Sequence, residues 1–186
     1  MNRDMITFLL VAGTAFAILI TVAAYYLWQR VQTSKRSWEQ LMARLIAVDR
    51  DGIAAVALDA IEPSGRRRTD ELAREMKPER IWMLLGGLDG VEMLEKNSQV
   101  LIEIAVHLQR WYPEATATAE ELRLQARELE WHVGRLRMAA DKGHLEFHFA
   151  SHAQSATIDY YLMTQQLRAL CHKSKLPMFA DLEKAI

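Results

Sequence analysis

The sequence predicts an all-α protein in which a single N-terminal transmembrane helix is followed by an antiparallel helical bundle with coiled-coil-like seams. Three observations predict it. Residues 6–28, ITFLLVAGTAFAILITVAAYYLW, carry no charge and no proline. Residues 115–140 repeat apolar side chains in alternating steps of four and three. No segment longer than a few residues alternates apolar and polar side chains in the manner of a half-buried strand. At 186 residues, the chain has room for one domain of ordinary size once the anchor is set aside. Its 23 basic and 24 acidic side chains leave no excess of the kind used to neutralise phosphates, so nucleic acid is not an expected partner. A single cysteine, Cys171, excludes an intrachain disulfide framework.

The first element is the anchor. At 1.5 Å rise per residue, residues 6–28 cover a hydrocarbon core of about 30 Å with some tilt, and Tyr25, Tyr26 and Trp28 fall where aromatic rings meet headgroups. A cleaved secretory signal fits less well, because the apolar region is long and Arg3 is offset by Asp4. Arg30, Lys35, Arg36 and Arg44 follow the span, which by the positive-inside rule places the N-terminus outside and the remainder in the cytoplasm, at the plasma (inner) membrane. Within the span Thr7, Thr14 and Thr21 recur every seven residues beside Gly13 and Ala17, a small-residue face suited to close helix contact.

Residues 29–50 read as a basic juxtamembrane helix, and the series Leu10, Ala17, Ala24, Val31, Trp38, Leu45 predicts one helix running unbroken from the bilayer. The helical domain follows over 51–186. The acidic pair Asp49 and Asp51 reads as the cap of a short apolar helix over 53–61, and residues 63–69, PSGRRRT, as a solvated loop. Pro78 suits the first turn of the next helix, and Gly86, Gly87 and Gly90 mark a kink or a close helix contact. Residues 91–112 predict a largely buried central helix with a polar stripe of Lys96, Gln99, Glu103, His107 and Arg110. The helix after Pro113 buries Ala115, Ala119, Leu122, Ala126, Leu129, Val133, Leu136 and Ala140 in a coiled-coil-like seam. The short connection at 141–143 makes the last long helix, 144–173, its antiparallel neighbour. Phe179, Leu182 and Ile186 predict a short terminal helix.

The last long helix opens with HLEFHFASH, which spaces His144, His148 and His152 four residues apart. Helical residues four apart are separated by about 6 Å of rise, so one ion cannot take all three at metal–nitrogen bonds of about 2 Å. Measured at about 100° per residue from the centre of the apolar stripe, His152 lies about 55° away, His148 about 95° and His144 about 135°. The row therefore winds from solvent toward the core boundary. Glu103 and His107, four apart on the central helix, complete a four-residue metal candidate with His148 and His152 if the polar stripe faces the histidine flank. Neither a zincin motif nor a pair of Glu-x-x-His motifs is present. Cys171 and His172 are adjacent and point about 100° apart on a helix, a poor thiolate–imidazole geometry. There is no nucleophile elbow and no nucleotide fingerprint, so neither catalytic residues nor a cofactor are expected. The sequence thus points to a membrane-anchored helical protein acting through contacts with a protein partner or with copies of itself, alongside the lipid bilayer. A metal-binding helical bundle with enzymatic activity is the rival reading.

Overall fold

The computed structural model describes residues 12–14, 16–17, 20–21, 36–62, 76–174 and 182, and divides the chain into two compact units, 1–36 and 37–186. In the first unit every described residue from 12 to 21 is helical, with Phe16 and Ile20 exposed. The Thr21 hydroxyl donates to the Ala17 carbonyl at 2.8 Å, a back-bond that removes a polar group from the surroundings. Most of the span at 6–28 lies outside the described residues. Among the described residues, no helix is long and apolar enough to cross a membrane.

Among the described residues, the regular elements of the second unit are helices: α1 (Trp38–Met42), α2 (Arg50–Asp59), α3 (Pro78–Leu85), α4 (Gly87–Leu108), α5 (Ala115–Asp141) and α6 (Leu145–Ser174). Helices α4, α5 and α6 run up, down and up around a shared core, while α2 and α3 pack on α6 and α1 packs on α4. The directions follow from side-chain contacts. Near the end of α5, Arg137 meets Glu92 at 2.8 Å and Glu95 at 2.7 Å near the start of α4. The groove at the start of α5 is lined by Glu114 and Thr118 together with Gln166 and Lys173 from the end of α6.

Local chemistry explains most boundaries. Asp49 caps α2 by accepting from the Gly52 N–H at 3.1 Å, and Pro78 occupies the first turn of α3, where its missing N–H costs nothing. The glycine cluster at 86–90 is a sharp joint. Gly86 closes α3 at φ 73° and Gly87 follows at φ 71°, values at which a side chain is strained. The chain thereby turns from α3 into α4 without a loop.

Helix α5 follows its repeat closely. Ala115, Ala119, Leu122, Ala126, Leu129, Val133 and Leu136 are all 2% exposed or less, and each of the three leucines contributes about 1.5–3 kcal/mol by burial. Only the last step differs: Ala139 is buried and Ala140 partly so, at the turn where the Ala139 carbonyl accepts the His144 N–H at 2.8 Å. On α6 the stripe Phe149, Ala153, Ala156, Tyr160, Met163 and Leu167 is buried as its spacing predicts, with Leu145 half-buried at the start.

Two expectations need correction. The helix expected over 29–50 is described from Arg36 onward, and there it is not continuous. Ser37 begins a new helix through a capping box, accepting from the Gln40 N–H at 3.3 Å while the Gln40 side chain accepts from the Ser37 N–H at 3.1 Å. Helix α1 then lasts five residues, and Leu45, the last member of the seven-residue series, lies outside any helix. The Glu103–His107 part of the central helix's polar stripe also does not face the histidine flank: Glu103 pairs with Arg44, and His107, 4% exposed, lies beside Trp38 and Trp111. The loop at 63–69, Phe179 and Ile186 lie outside the described residues, while Leu182 is helical and buried.

Candidate functional site

Glu103 and His107 serve the attachment of the 37–44 segment to α4. The Arg44 guanidinium pairs with the Glu103 carboxylate. One turn on, the His107 ring lies edge-on to Trp111 with centroids 5.0 Å apart, and 6.3 Å from Trp38 of α1. This part of the stripe faces α1, while Lys96, Gln99 and Arg110 are exposed.

His148 and His152 meet a different set of residues. Across the α5–α6 interface, His132 places its Nδ1 3.1 Å from Nδ1 of His152. In the neutral pair one ring carries hydrogen on Nδ1 and donates to the lone pair of the other. Trp131 braces both rings edge-on, with centroids 4.8 Å from His132 and 5.6 Å from His152. The Arg135 guanidinium sits 5.8 Å from the Trp131 ring centroid. The His148 ring centroid lies 6.3 Å from that of His152, one turn earlier on α6. Exposure follows the predicted winding: His144 and His148 are exposed and His152 is partly buried.

The structure therefore separates the four candidate ligands into two pairs instead of gathering them. Among the described residues, no group of three or more His, Cys, Asp or Glu side chains is arranged to hold a metal ion. His132 was missed because it stands outside the HLEFHFASH row, yet a signal for it exists. With the α5–α6 turn at Lys142, position 132 lies ten residues before the turn and position 152 ten residues after it, so antiparallel register brings them together. Cys171 offers no chemistry: burial pushes its thiol up to about 11, which leaves it protonated and inert as a nucleophile.

The histidine cluster makes stability depend on pH. Burial, then the charges of Arg135 and His148, lower the proton affinity of His152 below the ordinary 6.5. Where both states are neutral, above about pH 7.5, this group contributes no pH dependence. As pH falls through 6.5, the unfolded chain takes up a proton that the folded chain resists, and stability declines. Protonating both rings also turns both Nδ1 atoms into donors and breaks their hydrogen bond. Thermal melts between about pH 7.5 and 5.5 are expected to show Tm falling with acid, and falling less steeply in His152→Gln. Parallel slopes in the two proteins would remove His152 as the source.

Comparison with protein-family models, curated proteins and solved structures gives no match.

Proposed function

We propose that the chain is a single-pass membrane protein whose helical domain acts through protein contacts, as a scaffold, adaptor or accessory subunit, and that the outer face of α5 makes those contacts. The observation carrying this reading is a stripe of large apolar side chains on that face. Leu124, Trp131 and Met138 are 61%, 58% and 48% exposed, at seven-residue spacing. Seven residues return a helix to within about 20° of the same direction, so the three lie in one line along the side opposite the buried seam. Each gives up much of the roughly 1.5–3 kcal/mol that full burial provides, which a partner helix would recover. Gly134 lies between Trp131 and Met138, where an added Cβ meets nothing within 4 Å, so a partner side chain has room beside the backbone.

The anchor rests on the uncharged run at 6–28 and on the exposed Phe16 and Ile20 within it. The flanking positive charges favour a domain on the cytoplasmic side of the plasma membrane. A photo-crosslinking amino acid at position 124 or 138, used in membranes, tests the reading. We expect a cross-linked species, whose mass separates a second copy from a different protein, and we expect Trp131→Glu to abolish it. A chain that stays monomeric and uncross-linked in membranes, and partnerless in mild detergent, would overturn the proposal.

A further inference from the structure

We propose that His132 and His152 form a binding site for a divalent transition-metal ion of the zinc, nickel or copper class, clasping α5 to α6, with water completing the shell. The argument starts from distance. Two nitrogens bound to one tetrahedral ion at about 2.0–2.1 Å stand about 3.3 Å apart. The two Nδ1 atoms are already 3.1 Å apart, so binding requires only a small separation of the rings.

The chemistry balances without an outside reactant. In the neutral pair the bridging hydrogen sits on one Nδ1. Moving it to Nε2 of the same ring, through solvent, leaves two lone pairs facing the same point and releases no net proton. The ion then replaces a hydrogen between the rings. Imidazole nitrogen suits zinc, copper and nickel, whereas magnesium and calcium prefer oxygen ligands.

Burial, then the charges of Arg135 on α5 and His148 on α6, lower the proton affinity of His152. The Arg135 guanidinium, which opposes a cation here, sits over the Trp131 ring. The frame is rigid as well: both histidines stand on long helices and contact the same indole.

The test uses the full 186-residue chain in detergent, purified without a polyhistidine tag and stripped of metal. Titration calorimetry with zinc and nickel chloride at neutral pH is expected to show one saturable ion per chain. His132→Gln and His152→Gln should each weaken binding by more than about tenfold, since even loss of an outer partner costs a metal site that much. His144→Gln and His172→Gln should leave it unchanged. Far-UV circular dichroism checks that each variant is folded. A readout independent of the variants comes from long-range nitrogen-15 spectra of the unmodified chain, in which zinc should shift Nδ1 of both His132 and His152. The proposal is overturned if no saturable binding occurs, if folded His132→Gln and His152→Gln bind as the parent does, or if zinc shifts only other histidines.

Discussion

Gly90→Ala is expected to destabilise the helical domain by about 4 kcal/mol, near the upper end of single-substitution effects, and to lower Tm by roughly 8–16 °C. The reason is local and steric. At the α3–α4 joint the chain folds back so tightly that a Cβ on Gly90 would lie 1.5 Å from the Leu85 carbonyl oxygen and 2.7 Å from its carbon. Both are backbone atoms, so no side-chain rotation relieves the clash. The joint itself must open. Opening it would pull Ile81 and Leu85 from the core and separate Trp82 from Phe149, whose rings lie 4.4 Å apart. Gly134→Ala is the matched control. Gly134 sits inside α5 with nothing within 4 Å of an added Cβ, so alanine there should stabilise by about 0.5–1 kcal/mol through lower backbone entropy. The same chemical change is thus expected to act in opposite directions in two helices. Differential scanning calorimetry of the two variants reads both signs, and a Gly90→Ala protein as stable as its parent would refute the joint.

The α3–α4 joint also illustrates what could be read in advance. Three glycines in a short apolar stretch announce a kink or close contact, because few other roles require them. The seam of α5 was equally legible, since its repeat is set by the helix's own geometry and needs no knowledge of the neighbour. The unbroken helix expected from the bilayer failed for the complementary reason. Its seven-residue series counted apolar positions but gave no weight to Ser37 and Gln40, a serine and a glutamine three apart that form a capping box where a helix starts at Trp38.

The candidate site was half legible. The winding of the histidine row followed from angles on α6 alone, and the observed exposures agree with it. Its partner did not follow from α6, because which residue opposes His152 depends on the register of α5. Glu103 and His107 were joined to the row on the assumption that the polar stripe of α4 faced it. In the structure Arg44, Trp38 and Trp111 occupy that side. Spacing along one helix fixes direction; pairing between helices is decided by turns and by segments, such as 43–49, that have no periodicity to read.

That irregular segment is the subject of the second large effect: Asn97→Ala is expected to cost about 3 kcal/mol. Asn97 occupies a core-facing position between Leu94, Leu101 and Ile104 and is 1% exposed. Its amide makes a double contact with the backbone of Ile46, accepting from the N–H at 2.8 Å and donating to the carbonyl at 2.8 Å. It also donates to the Tyr160 hydroxyl at 3.3 Å. One side chain thereby ties the 43–49 segment to α4 and α6. Removing it leaves a backbone donor, a backbone acceptor and a buried hydroxyl short of a partner, each worth about 1–3 kcal/mol if water cannot replace it. Asn97→Asp should be no better, because a carboxylate can accept from the Ile46 N–H but must face the Ile46 carbonyl with negative charge. Tyr160→Phe should cost about 1 kcal/mol or less, since the two contacts to Ile46 survive. Urea unfolding of the three variants would check the order. In the double variant Asn97→Ala with Tyr160→Phe, the cost should fall below the sum of the single costs, because removing both partners leaves no stranded hydroxyl. Strict additivity would mean that the amide and the hydroxyl do not interact, and that Asn97 acts on the 43–49 segment alone.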